Sequence, residues 1–292
     1  MKRKKMDYGS EVQVRCGKEA DFRSISYNVL AFRGFPNTDA TCELLARNAD
    51  RHPEMTAQAL ADFNPSLMTL QECPEEFLVK RFADTLGMNY AWFAPGWKGS
   101  KEYPVGFPGA VITPYPILES EPRPSVGVPH PAHLFTRHLG RVKVDTPFGL
   151  LHVVSVHFHF NDRSVRTEET VAVITLIKRL NETAPVLLQG DLNHTPDAPE
   201  HQILLEAGLI DIGAKHGIGE TPTFSCIKPC VHIDYIWATP DLAKASTGAQ
   251  VLNMPPFVPE SGKASSYALS DHLPVFADFK KARGNTQSTR SE

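Results

Sequence analysis

The chain has 292 residues, 41% of them hydrophobic and 22% charged, ordinary values for a globular protein and room for one large α/β domain or two small ones. No apolar run is long enough to cross a bilayer, and a formal net charge of −3 weighs against broad, salt-driven DNA binding while leaving room for a local basic patch. Five scattered cysteines, Cys16, Cys42, Cys73, Cys226 and Cys230, do not form a disulfide framework.

The basic start Met1-Lys2-Arg3-Lys4-Lys5-Met6 runs into Asp7, Gly9, Ser10 and Glu11 instead of an apolar stretch. It therefore does not read as a secretory signal, and a cytoplasmic protein with free thiols is expected; a misassigned start codon would reopen secretion. Cys226 and Cys230 could close a loop disulfide or bind a soft metal, but they lack the spacing and second ligand pair of a zinc knuckle. Residues 1–20 and 281–292 read as loosely held ends, and no repeat or composition break divides 21–280, so one domain is expected.

In chain order, Arg23 to Leu30 alternates and predicts a strand ending near Asn28. Pro53 suits the first turn of a helix through Ala61. Leu67 to Glu72 predicts the next strand, with a helix from Pro74. Glycine and proline cluster from Pro95 to Pro131 and again from Pro255 to Gly262, which predicts long loops. Arg141 to Val144 and Leu150 to His159 flank Thr146-Pro147-Phe148-Gly149 as a hairpin. A helix is expected around Val171 to Leu180, then a strand from Pro185 to Gly190, and late strands at Ile233 to Trp237 and Val275 to Phe279. The hairpin excludes a purely parallel sheet and favours mixed sheets with helices outside.

Polar residues gather where these apolar runs end, the places where α/β proteins build ligand sites. Asn28 and Glu72 are oxygen donors of the kind Mg²⁺ takes, although either alone reads equally well as a cap or a strand-end hydrogen bond. His157 and His159 share one face of a strand, and His152 has the opposite parity, a structural or surface position. Asp191 and Asn193, in Gly190-Asp191-Leu192-Asn193, pair an anion with an amide, which suits holding a water and steadying an oxyanion; an Asx turn there is compatible. Asp234 is embedded in an apolar strand and needs a donor partner. His272, in Ser270-Asp271-His272, is the natural one, leaving Asp271 for a metal. Acids, amides and imidazoles at strand ends point to metal-assisted hydrolysis.

The ordered series Asn28, Gln71-Glu72, His157, Gly190-Asp191-Leu192-Asn193, Asp234 and Ser270-Asp271-His272 resembles the endonuclease/exonuclease/phosphatase superfamily of Mg²⁺-dependent phosphoesterases. The resemblance spans about Ile25 to Phe279, and six motifs in order with fitting flanks are specific where one alone is not. It implies an α/β (α+β) fold: a four-layer sandwich of two mixed β-sheets flanked by helices. It also implies roles. Asn28, Glu72 and Asp271 would hold Mg²⁺, with Mn²⁺ as a substitute. Asp191 and Asn193 would orient the attacking water, His157 would bind transition-state oxygens, and His272 paired with Asp234 would act on the phosphate or as acid–base. The general base is assigned jointly to Asp191 and His272.

This sequence departs from the family pattern in places that bear on substrate. Gly109-Ala110-Val111-Ile112-Thr113-Pro114-Tyr115-Pro116 lacks the arginine many members carry, and Leu188-Gln189 stands where inositol-phosphate phosphatases have a tryptophan before Gly-Asp. Glu102 could partner His157, and the loop Trp92 to Lys101 mixes aromatics with lysines that could stack on a substrate or pack on themselves. The expectation is a monomeric phosphodiesterase acting on a small-molecule, lipid-headgroup or nucleotide ester. A nuclease on the same scaffold is the alternative, and a non-catalytic binding module the remote one.

Overall fold

The computed structural model describes residues 21–96, 106–126 and 133–281. The expected loose ends, Glu102 and the Trp97–Lys101 part of the aromatic loop lie outside the described residues. Among the described residues, twelve strands and seven α-helices follow in order: β1 (Phe22–Asn28), α1 (Cys42–Asn48), α2 (His52–Ala61), β2 (Leu67–Gln71), α3 (Glu76–Leu86), β3 (Asn89–Phe93), β4 (Gly109–Thr113), β5 (Ile117–Pro122), β6 (His138–Thr146), β7 (Gly149–His157), α4 (Arg163–Asn181), β8 (Val186–Asp191), α5 (Pro199–Glu206), β9 (Ile210–Asp211), α6 (Ile212–Lys215), β10 (Asp234–Ala238), α7 (Pro240–Lys244), β11 (Ser246–Val251) and β12 (Val275–Phe279).

They form two six-stranded mixed sheets, ordered β11-β12-β1-β2-β4-β3 and β5-β6-β7-β8-β10-β9. The parallel pairs are β1 with β2 and β7 with β8. Strand parity explains the layering, because alternate side chains point to opposite faces. In β7, Leu151 and Val153 join the core shared with the first sheet, while Val154 and Val156 pack with Val173, Leu176 and Ile177 of α4. Leu187 and Leu188 divide the same way, and Ala57, Leu60, Val79 and Phe82 of α2 and α3 cover the first sheet. The result is the four-layer helix–sheet–sheet–helix sandwich.

The join between β1 and β12 is reinforced by charge. Arg23 faces Asp278 in the β1–β12 register and donates to both of its oxygens, at 2.6 and 2.7 Å, with both side chains buried. Such a two-pronged pair fixes register as well as supplying energy.

Four sequence expectations are corrected. The helix expected from Pro74 begins at Glu76, because Glu75 is still extended. The helix expected around Val171 begins at Arg163, where Asp162 accepts from the backbone N–H groups of Ser164 and Val165, an N-cap the charged first turn had obscured. The supposed long loop from Pro95 contains β4, whose five residues are all buried, and β5. Trp92 and Phe93 belong to β3 rather than a substrate loop: Phe93 is buried and the Trp92 indole N–H donates to the Cys73 carbonyl at 3.1 Å. Cys42, Cys73, Cys226 and Cys230 are free thiols. Among the described residues no helix is long and apolar enough to cross a membrane.

Candidate active site

The faces that meet between the sheets are apolar in the middle and polar toward one end. Ser24 donates to the Gln189 side-chain oxygen at 2.7 Å, and the Gln189 amide donates to the Ile25 carbonyl and to Thr69 Oγ1, at 3.2 and 3.1 Å. These buried bonds tie β8 to β1 and β2, and the pairing of the Gln189 oxygen and NH₂ is what makes its burial tolerable. One step further along the same rows stand Asn28, His157, Asp191 and Asp234. In the second sheet His138, His157, Asp191 and Asp234 are successive cross-strand neighbours at one level. The site is the polar end of the inter-sheet layer.

Backbone shape at that end is specialised. Gly190 has φ +152°, and a Cβ there would lie 2.0 Å from the Val156 carbonyl oxygen, so only glycine permits β7 and β8 to close beside Asp191. Glu72 and Asn193 follow their strands in the left-handed region, at φ +60° and +51°. Asparagine tolerates this conformation readily and glutamate does not, a local cost typical of functional positions.

Asp191 is the hub. Its Oδ2 lies 3.2 Å from His157 Nε2, 3.2 Å from Asn28 Nδ2, which donates to it, and 3.8 Å from His272 Nε2. Its Oδ1 accepts the Asn193 backbone N–H at 3.0 Å, an Asx turn, and the Asn193 amide donates to the Phe158 carbonyl at 3.0 Å. Burial pushes the Asp191 carboxyl up, but His157, His272 and Arg137 outweigh it and hold the group well below the usual carboxylate range. Asp191 is therefore an anion near neutral pH.

His272 Nδ1 is 2.9 Å from Asp234 Oδ2, with both residues buried. Burial alone would lower the imidazole, but Asp234, Asp191 and Asp271 lift it to about 10. Burial raises Asp234, opposed chiefly by the His272 charge. The pair is an imidazolium held by a carboxylate. Thr223 Oγ1 donates to the same Asp234 oxygen at 2.6 Å, and Ser270 Oγ donates to the Asn28 carbonyl at 2.7 Å, fixing the loop that carries His272.

Glu72 accepts from Asn28 Nδ2 at 3.2 Å and lies 3.8 Å from Arg137 Nη1. Burial raises its carboxyl, while Arg137 and Asn28 pull it down. Asp271 is half-buried and close enough to act electrostatically on both Glu72 and His272. Asn28 directs its NH₂ toward the Glu72 and Asp191 carboxylates, while its Oδ1 accepts the Leu30 N–H at 3.1 Å. His157 is lowered to about 4 by burial and by Arg137, so it is neutral. His159 lies beyond the end of β7, half-buried, and His152 is buried on the α4 side with Nε2 2.9 Å from Thr183 Oγ1.

Sequence reasoning missed three contributors. Arg137 contacts His157 Nε2 and approaches Glu72; it sits in the turn before β6 with no strand-end pattern to mark it. His138 is buried, with Nε2 3.1 Å from Ser155 Oγ, and its imidazole fills the space where a Cβ on Gly109 would stand. Thr223, in a segment with no strand-end pattern, donates to Asp234 and holds it.

The donor set fits a divalent cation. Glu72, Asp191, Asp234 and Asp271 are four carboxylates facing two cations, Arg137 and the imidazolium of His272, which leaves two negative charges uncompensated when all four are ionised. Hard oxygen donors in excess of counter-charge are what Mg²⁺ selects. Ligand atoms of Asp191, Asp234 and His272 also lie within 4.8 Å of one another, but an ion there would require His272 to give up its Nε2 proton.

The model of the Endonuclease/Exonuclease/phosphatase family matches residues 25–272. No curated protein matches in a sequence comparison. Among solved structures, the mannosyl-6-phosphatase of Bacteroides thetaiotaomicron superposes with a TM-score of 0.66 at 19% identity, covering 89% of this chain and 100% of that one. An AP endonuclease from Archaeoglobus fulgidus gives 0.61 at 16% identity, and the beta toxin of Staphylococcus aureus 0.63 at 16%, each with the same coverage. At these identities the structural likeness speaks for the fold alone, while the family model spans most of the sequence and every residue around Asp191. The chain belongs to the endonuclease/exonuclease/phosphatase family.

Proposed function

We propose that the protein is a metal-dependent phosphodiesterase acting on a small-molecule, lipid-headgroup or nucleotide ester. Members of its family are hydrolases of phosphoester bonds, and the observation that carries the reading is the convergence on Asp191 of His157, Asn28 and His272. Glu72 and Asp271, with Asn28 beside them, would hold Mg²⁺ or Mn²⁺. When bound, the cation supplies Lewis-acid charge at the phosphoryl oxygens.

The chain's own groups have distinct tasks. Asp191, anionic and aimed into the site, accepts a hydrogen bond from the attacking water and takes its proton. Asn193, through its turn onto Asp191, fixes the direction of that carboxylate. The imidazolium of His272 holds a proton at Nε2, where it neutralises charge building on the phosphate or protonates the leaving oxygen. Neutral His157 and cationic Arg137 bind the remaining oxygens. Preorganised charge of this kind is the largest contributor in phosphoryl transfer.

The test is turnover of bis-p-nitrophenyl phosphate, lost with EDTA and restored by Mg²⁺ or Mn²⁺. A panel of phosphomonoesters, lipid-headgroup diesters, abasic-site DNA and single-stranded RNA then ranks substrate classes. No hydrolysis of any member with either metal present refutes the reading, and preferential cleavage of nucleic acid replaces it with the nuclease.

A further inference from the structure

Phe160 is 57% exposed, yet it is not idle. The Arg137 guanidinium carbon lies 4.9 Å from the centre of its ring and 4.3 Å from that of Phe107. Phe107 in turn meets the edge of the His157 ring at 5.9 Å and 73°, and His159 stacks on Phe160 at 5.9 Å and 14°. Arginine is long and rotamer-rich, so a guanidinium free to wander would lose much of its use to a substrate phosphate. Two aromatic faces attract it by their quadrupoles and restrict its plane.

A second observation comes from α4. Glu169 is fully buried and has no part in the proposed chemistry. One of its oxygens accepts the Phe135 backbone N–H at 2.7 Å and the other accepts the His159 N–H at 2.8 Å. Phe135 stands two residues before Arg137, and His159 stands one before Phe160. A single carboxylate therefore joins the segment carrying the cation to the segment carrying its aromatic cover. Burying a carboxylate is costly unless both oxygens are used, and here both serve this join.

We propose that Phe107, Phe160 and Glu169 form a clamp that aims Arg137 at the phosphate oxygens of the substrate. They are positioning residues, and the inference rests on the phosphoesterase reading above. Phe160 acts through Arg137 and not through the substrate, so its removal matters only while Arg137 is present. Glu169 sets the distance between the two segments from beneath.

The experiment is a double-mutant cycle on the full chain with saturating Mg²⁺, reading kcat/KM for bis-p-nitrophenyl phosphate and the affinity for inorganic phosphate. Phe160→Ala is expected to lower both by about three- to tenfold, and Phe160→Trp to restore both to within about twofold. In an Arg137→Met background Phe160→Ala is expected to cost nothing further. An equal penalty in both backgrounds, or none in the wild type, overturns the clamp. Glu169→Gln is expected to reproduce the loss; should it fail to fold, the exposed Phe160 position still decides. If the wild type hydrolyses no phosphoester, the functional reading fails, and the same cycle on phosphate affinity still tests the clamp.

Discussion

His157 and Asp191 stand directly opposite each other on parallel neighbours β7 and β8, with Nε2 3.2 Å from Oδ2. Neither strand end offers a site alone. Their register places a neutral imidazole against a permanent anion, and Asp191 is left with its charge directed at the space shared with His272. Asp191→Ala is expected to reduce kcat by about 10²–10⁴-fold, the usual contribution of a positioned proton acceptor, with an unchanged far-UV circular dichroism spectrum. A rate within about twofold of wild type would remove Asp191 from the mechanism.

The Asp234–His272 pair makes a prediction in pH. The His272 pKa is raised to about 10, so the imidazolium persists below that value and is lost as pH rises through it. If its charge is required, wild-type activity holds across the neutral range and falls only toward pH 10. Asp234→Asn removes the largest raising influence, so the alkaline limb moves down toward the ordinary histidine range near 6.5. A pH–rate profile of the two proteins measures this directly. His272→Ala, which removes the group itself, is expected to cost about 10²–10⁴-fold at every pH.

Much of this site was legible because strand ends announce themselves. Asp191 follows the apolar run Pro185 to Leu188 and then Gln189-Gly190, His157 closes an alternating strand, and Asp234 interrupts an apolar run. Arg137 follows none of these patterns. It lies in a turn, and only the pairing of His138 with His157 in the β6–β7 register carries it to the centre. Glu169 was hidden because the charged start of α4, with Arg163, Arg166 and Glu168 around it, dilutes the apolar period that marks a helix. Strand β4 was hidden because Gly109 and the flanking prolines resemble a loop; the glycine is there to admit the His138 ring, a tertiary reason that no local pattern expresses.

Gly190 yields a stability prediction. Gly190→Ala places a methyl 2.0 Å from the Val156 carbonyl oxygen at a φ of +152°. Strain and overpacking each cost about 1–3 kcal/mol, so chemical denaturation should report a loss of about 2–6 kcal/mol. A loss below about 1 kcal/mol would mean that β7 and β8 can separate without penalty.

Acid stability offers a test far from catalysis. Behind the Asp191 segment, His194 is buried, and its Nδ1 lies 3.2 Å from the Thr195 carbonyl. Its ring stacks at 4.9 Å on Tyr235 and meets His201 at 5.7 Å. Burial lowers its pKa to about 3, and burial lowers His138 likewise to about 3. Both are neutral when folded and take up a proton when unfolded below pH 6.5, so the stability they contribute is present above 6.5 and lost as pH falls toward 3. Near pH 5 each adds about one proton to the uptake on unfolding, a slope of about 1.4 kcal/mol per pH unit. His194→Phe retains a stacking ring without the titration, and should reduce the measured slope between pH 6 and 4 by about that amount. Comparing slopes cancels the carboxylates common to both proteins. An unchanged slope would show that His194 takes up its proton in the folded protein as readily as in the unfolded chain, and that the aromatic layer beneath the site admits that charge without unfolding.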